Sequence, residues 1–199
     1  MRFDEWNESL KGMLAICGKQ GSGKTLLATM LAYADYLRGR TVYSNYPLSF
    51  DHVPITSTEV LKEAKDGTVL LDEAYQLADS RRSSSKKNVL ISTILAKARK
   101  HGLRYIIIQQ YWRTIDLRLR HHADWILFPS IYEIDERKMR PSVLRVQVFT
   151  RDDTGYPVLD DVVYVPVPET AFKLYDTTAD VYPFEEKPKA KKITDYTGG

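Results

Sequence analysis

Apolar residues first gather at Met13-Leu14-Ala15-Ile16-Cys17, a short run of strand type. Beyond a glycine-rich stretch, Leu26, Leu27, Met30, Leu31, Ala34 and Leu37 recur at spacings of three and four, the period of an amphipathic helix. Gly39-Arg40 end that helix, and Thr41-Val42-Tyr43-Ser44-Asn45 form a second strand stopped by Pro47. Ser57-Thr58-Glu59 cap a short helix running to about Ala64. Gly67-Thr68 then lead into Val69-Leu70-Leu71-Asp72-Glu73, an apolar strand that ends in two acids. Residues 80–87 (SRRSSSKK) are polar and basic and read as a loop. The pattern next predicts a helix from about Asn88 to Lys100, with Leu90, Ile94, Leu95 and Ala98 on one face, closed by His101-Gly102. Tyr105-Ile106-Ile107-Ile108 is a buried strand ending at Gln109-Gln110.

After the basic stretch RTIDLRLRHH, a further strand is expected from Trp125 to Phe128. A hairpin-like pair, Leu144–Thr150 and Asp161–Val165, flanks a turn at Asp152-Asp153-Thr154-Gly155. The tail after Phe184 is charged, contains proline and has almost no core residues, so residues 185–199 are expected to be disordered. Residues 1–184 then form one domain, with no internal repeat. Strands alternating with helices, several of them apolar throughout, predict a mainly parallel sheet with helices on both faces.

Composition narrows this little. A chain of 199 residues can bury a substantial core without staples, and 43% hydrophobic with 28% charged residues is ordinary for a globular protein. A net charge of +3 is too small to announce a nucleic-acid partner, which only a clustered distribution would do. A single cysteine excludes an internal disulfide framework and fits a reducing compartment; Cys17 reads as a small core residue rather than a nucleophile. No apolar run is long enough to span a bilayer, and MRFDEWNESL lacks the apolar core of a signal peptide, so a soluble, cytoplasmic protein is expected.

The chemistry lies in the glycine-rich stretch. Gly18, Lys19, Gln20, Gly21, Ser22, Gly23, Lys24 and Thr25 spell a complete phosphate-binding loop, G-x-x-x-x-G-K-[ST], between the first strand and the first helix, with Leu26 following in the helix's first turn. The glycines let backbone N–H groups turn inward around a phosphate, and the helix N-terminus adds its positive end. Lys24 is placed to reach the β- and γ-phosphates of ATP and the Thr25 hydroxyl to ligate Mg²⁺. Asp72 ends an apolar strand, where a carboxylate holds the magnesium shell, and Glu73 after it is placed to polarise water. The plainer reading of this pair is an acidic cap on a following helix. A strand intervening between the loop and the acids points to the RecA-like, additional-strand catalytic-glutamate class of P-loop NTPases. Gln110, at the end of the next apolar strand, is placed to contact γ-phosphate or water; alternation turns Gln109 the other way.

The runs GKQGSGKT, TVYSNYPL, LLDEAYQLADSRR, ILAKARKHGLRYIIIQQ and TIDLRLRHHADWIL, with the later AFKLYDTTADVY, resemble the FtsK–HerA superfamily of DNA-pumping ATPases. Within it the chain is most similar to the branch of Zot-like phage morphogenesis proteins and viral genome-packaging ATPases. The resemblance covers roughly residues 12–182. It implies Mg²⁺-dependent ATP hydrolysis coupled to DNA translocation by a homo-oligomeric ring, in the cytoplasm of a host cell and docked on a capsid or membrane protein. By resemblance Lys24 and Thr25 are the Walker A pair, Asp72 and Glu73 the Walker B pair, Gln110 the strand-end glutamine, and Arg99 the arginine finger. Arg118 and Arg120 are rival fingers. Zot-like assembly proteins normally continue into a membrane-spanning segment, which this chain lacks, so a bare packaging motor is the leading expectation. The alternatives are filamentous-phage extrusion beside a membrane-anchored partner, and a nucleotide switch or kinase.

Basic residues cluster at Arg81-Arg82, Lys86-Lys87, Lys97 to Arg104 and Arg113 to His122. Contacts from such residues to phosphates give sequence-independent affinity for double-stranded or single-stranded DNA; a merely solvated face is the plain alternative. Arg81, Arg82, Lys86 and Lys87 are the first candidates. Tyr111 and Trp112 are placed either to stack on bases or to pack in a core or interface.

Overall fold

A computed structural model describes residues 2–73, 84–98, 102–153, 155–176, 178 and 180–183, with side chains given from 88 to 97 within the helix that spans 84–98. The expected tail, Arg81, Arg82, Arg99 and the side chains of Lys86 and Lys87 lie outside this description.

In chain order the elements are α1 (Phe3–Ser9), β1 (Met13–Cys17), α2 (Lys24–Leu37), β2 (Thr41–Ser44), β3 (Val53–Pro54), α3 (Thr58–Glu63) and β4 (Gly67–Asp72). They continue as α4 (Ser84–Ala98), β5 (Arg104–Gln109), α5 (Leu117–His122), β6 (Trp125–Asp135), β7 (Arg140–Arg151) and β8 (Pro157–Pro166). The strands form one eight-stranded sheet ordered β3-β2-β4-β5-β1-β6-β7-β8. From β3 to β6 every pairing is parallel, with Leu14 opposite Ile106 and Trp125, and Leu70 opposite Ile106 and Ser44. β6, β7 and β8 run antiparallel to one another. Strand β5 therefore lies between β1 and β4.

Alternation in fully buried strands makes two cores. Leu14, Ile16, Leu70, Ile106 and Ile108 face α1, α2 and the inner residues of β7. Met13, Ala15, Cys17, Val69, Leu71, Tyr105 and Ile107 face α3, α4 and α5. Each central strand is thus apolar on both sides, as a helix-covered parallel sheet requires.

Several elements differ from the sequence expectation. Helix α1 was not visible in the pattern because its stretch is mostly polar; Trp6, 3% exposed, and Asn7, 1% exposed, anchor it. Residues 84–87, expected in a loop, belong to α4. Strand β6 runs to Asp135 instead of stopping at Phe128; Pro129-Ser130 interrupt its apolar run, and its outer half is mostly exposed. The hairpin strands are also longer, and β6 joins them in a three-stranded meander whose pairing with β7 is broken by register shifts between Ile131 and Ile134. The stretch before β6 contains a short helix, α5, capped by the Asp116 side chain accepting from the Arg118 N–H at 3.1 Å.

Beyond β8 the chain returns across the sheet. A short 3₁₀ turn, Glu169–Lys173, buries Ala171 in the α2 core. Ser49 N–H donates to the Leu174 carbonyl at 2.8 Å, Leu48 and Tyr175 form an antiparallel bridge, and Tyr182 N–H donates to the Asn45 carbonyl at 2.6 Å. Among the described residues no helix is long and apolar enough to cross a membrane.

Candidate active site

β1 delivers the chain to the glycine loop, and Lys24 is the first residue of α2. Gly18 and Gly23 take φ values of 151° and 89°, the region open to glycine. A Cβ on Gly18 would meet Ser22 Oγ at 2.7 Å, and one on Gly23 would meet Leu144 Cδ2 of β7 at 2.9 Å. The cradle is therefore lined by backbone, and the meander forms one of its walls. Gly18 N–H donates to the Gln110 carbonyl at 3.2 Å and Ser22 N–H to the Lys19 carbonyl at 3.2 Å, fixing the loop's curve. Ser22 Oγ is buried with no hydrogen-bond partner among the described residues, an orphaned polar atom inside the loop.

Lys24 Nζ donates to the Lys19 carbonyl at 3.0 Å. That contact uses one of the ammonium's three donors. Burial lowers the Lys24 pKa, and Asp72 opposes the shift. Leu26 has its side chain in the core, 4% exposed, so only its backbone is available to a ligand.

Asp72 ends β4 on the same side of the sheet as α2, and the Thr25 hydroxyl donates to its Oδ2 at 2.9 Å. Burial pushes the Asp72 carboxyl up, against the Thr25 hydrogen bond and Lys24, which hold it down. A hydroxyl and a carboxylate, both hard oxygen donors, fit Mg²⁺, which typically takes one or two protein oxygens beside phosphates and water. Among the described residues there is no group of three His, Cys, Asp or Glu side chains that would make an all-protein metal cage. Glu73 follows with φ at 46°, an uncommon conformation for a non-glycine residue, and is exposed. The left-handed turn takes its side chain out of the strand's alternation.

Strand parity separates the two glutamines. Gln109 is 3% exposed and accepts from the Thr114 hydroxyl at 3.4 Å, whereas Gln110 is exposed and its carbonyl holds Gly18. Arg118 is tied to Asp116 at 2.9 Å and Asn88 at 2.9 Å, and Arg120 Nε donates to the Ile115 carbonyl at 3.0 Å. Their helix packs through Leu119 into the core across the sheet from α2, so neither is brought to this chain's own loop. Arg104 is not part of a basic surface: it is 6% exposed and paired with Asp35 at 2.9 Å. Tyr111 is exposed and Trp112 half-buried against the second core. Burial pushes the Cys17 thiol up to about 12, the behaviour of a core residue.

One site residue was missed. Asn45, fully buried, spans from the end of β2 to Asp72: its Nδ2 donates to the Asp72 carbonyl at 2.7 Å, and Asp72 N–H donates to its Oδ1 at 2.8 Å. Nothing in the sequence signals this, because the contact depends on β2 and β4 being neighbours.

The loop, the helix it caps and the acids at the end of β4 define a P-loop NTPase fold. No family model matches the chain. It is 31% identical over 134 residues to uncharacterized ORF2 proteins of Spiroplasma viruses SpV1-R8A2 B and SpV1-C74. The match takes in 62% of this chain and 39% of either relative, so the chain spans about two fifths of the length of the curated relatives it matches. Among solved structures, the N-terminal domain of zonular occludens toxin from Neisseria meningitidis is similar with a TM-score of 0.56 and 19% identity, over 84% of this chain and 100% of that one. The flagellar accessory protein FlaH from Methanocaldococcus jannaschii gives 0.51 and 9% identity, over 79% and 85%. At such identities the likeness is one of fold.

Proposed function

We propose that this chain is a Mg²⁺-dependent ATPase of the Zot-like, additional-strand class that moves DNA during assembly of a virus or mobile element. The observation that carries the reading is the 2.9 Å bond from Thr25 to Asp72, made across a sheet in which β5 separates β1 from β4. Thr25 and Asp72 would hold Mg²⁺, which when bound offsets charge on the β- and γ-phosphate oxygens. Lys24 exchanges the Lys19 carbonyl for phosphate oxygens, and the loop's N–H groups grip the rest. Glu73 polarises the attacking water, and Gln110, on the same side of the sheet as Asp72, orients it.

Arg99 leads as the finger from a neighbouring protomer, with Arg118 and Arg120 as rivals, which makes a ring part of the proposal. DNA contact by Arg81, Arg82, Lys86 and Lys87 is proposed on charge alone. The viral relatives and the Zot-like fold support an ATPase of the assembly type, with genome packaging as its leading form and extrusion beside a membrane-anchored partner as the alternative. ATP turnover measured alone, with duplex DNA and with single-stranded DNA tests the reading. Turnover raised by either DNA is expected. No turnover under any condition overturns the ATPase, and turnover indifferent to both removes the DNA motor.

A further inference from the structure

We infer that Asn45 is the positioning residue of the Walker B strand end, itself held from behind by the returning C-terminal segment; this rests on the ATPase reading. β2 and β4 pair through Ser44 and Leu70, and Asn45 N–H continues the ladder to the Leu70 carbonyl at 3.2 Å. One residue further the backbones can no longer pair, because β2 has ended and the chain turns toward Pro47. The Asn45 side chain continues the ladder in their place. Its amide sets a donor nitrogen and an acceptor oxygen in one plane, and each meets the backbone of Asp72, at 2.7 and 2.8 Å. Chemistry fixes the orientation, since Asp72 N–H needs an acceptor and its carbonyl a donor.

The residue so clamped is the one whose carboxylate meets Thr25, and the next is Glu73 in its left-handed conformation. A strained residue persists only where its surroundings over-determine it, and the amide clamp immediately precedes that strain. The clamp is itself anchored: the Asn45 carbonyl accepts from Tyr182 N–H at 2.6 Å, and the Tyr182 hydroxyl contacts His52 Nε2 at 3.0 Å. The Asn45 side chain is turned to the Asp72 backbone. It acts through Asp72, as an outer-shell partner acts through a ligand.

The test compares Asn45→Asp, Asn45→Ala, Tyr182→Pro and Tyr182→Ala with the wild-type chain. Asn45→Asp keeps shape and acceptor but sets a carboxylate oxygen against the Asp72 carbonyl. Tyr182→Pro and Tyr182→Ala both lose the ring, and only proline loses the N–H. Binding of a fluorescent ATP analogue is titrated in EDTA and in Mg²⁺, beside kcat, KM and thermal unfolding. Both Asn45 variants should bind the analogue in EDTA like wild type, while the gain in affinity on adding Mg²⁺ and kcat each fall about 10- to 100-fold. Tyr182→Pro should lose more of that gain than Tyr182→Ala.

A full Mg²⁺-dependent gain in Asn45→Asp overturns the proposal, as does an equal loss with and without Mg²⁺, the mark of a merely structural residue. If neither Asn45 variant folds, equal gains in Tyr182→Pro and Tyr182→Ala overturn it. A wild-type chain that binds the analogue with a Mg²⁺-dependent gain but never turns ATP over breaks only the ATPase reading, because the binding arm still reads Asn45.

Discussion

The two ends of the sheet carry polar clusters of opposite character. Where the strands begin, Asp35 of α2 is 5% exposed and both its oxygens are saturated. Oδ1 accepts from Asn7 at 3.2 Å and pairs with Arg38 at 3.5 Å, and Oδ2 accepts from Thr68 at 2.6 Å and Arg104 at 2.9 Å. Arg40 closes the rim by donating to the Gly67 and Gly102 carbonyls at 3.1 and 2.8 Å. Where the strands end, Lys24 is held by one carbonyl, Ser22 Oγ is orphaned, and Asp72 meets a hydroxyl it would share with a metal. The Asp35 carboxylate is satisfied entirely from within the fold, so the first cluster behaves as structure. Even there, Arg104 Nε and Nη2 lack partners among the described residues. The second cluster leaves donors and acceptors to be completed by a ligand, which is what a binding site requires. An apolar groove of about 720 Å³ between α1, α2 and β8 contains no glycine-loop residue and belongs to neither cluster.

The largest effects should separate the ends by kind. Lys24→Ala should abolish ATP binding, and Glu73→Gln should bind ATP while kcat falls about 10²- to 10⁴-fold, with thermal unfolding of both near wild type. Equal loss of binding in the two variants would remove the role given to Glu73. At the other end, Asp35→Ala strands Arg104 and should cost about 3–5 kcal/mol in urea unfolding. Asp35→Leu combined with Arg104→Met should recover most of that loss; failure to recover would make the ion pair more than structural.

How much of this contrast was legible followed from sequence distance. The glycine loop is contiguous and its spacing is its chemistry, so Gly18 to Thr25 could be read at once. Asp72 and Gln110 stand out in the sequence as polar residues at the ends of apolar strands, and alternation sends Gln109 and Gln110 opposite ways. The Asp35 cluster was not legible, because Asn7, Asp35, Thr68 and Arg104 are isolated polar residues in otherwise ordinary segments and meet only when the sheet order is known. Arg104 was grouped with a basic run for the same reason. Asn45 shares that blindness: its partner lies 27 residues on, across a strand pairing that no local pattern announces.

A smaller effect concerns Cys17, which adjoins the open end yet is closed to solvent. Its thiol rises from about 9 in the unfolded chain to about 12 in the folded one. The folded state therefore holds the proton longer. Cys17 adds no pH dependence below about 9, and stability falls as pH rises from there toward 12. Cys17→Ala should flatten that fall by up to about 1.4 kcal/mol per pH unit. An unchanged slope in alkaline urea titrations would place the thiol in contact with solvent. The smallest effect is Tyr46→Phe, which deletes a buried hydroxyl bonded to Thr29 at 2.9 Å and should cost about 1 kcal/mol, since Thr29 keeps its bond to the Thr25 carbonyl.

The register shifts in β6 divide the meander into two parts under unlike constraint. On the near side, Leu144 pairs with Ile131 and lies where a Cβ on Gly23 would be, so length and volume there are dictated by the glycine loop. On the far side, Ile134 and Met139 are 52% and 80% exposed and meet nothing of the cradle. The turn between β6 and β7 is thus a natural graft point. Residues inserted around 136–139 should leave nucleotide affinity untouched, because the tip can be rebuilt without moving the inner strands.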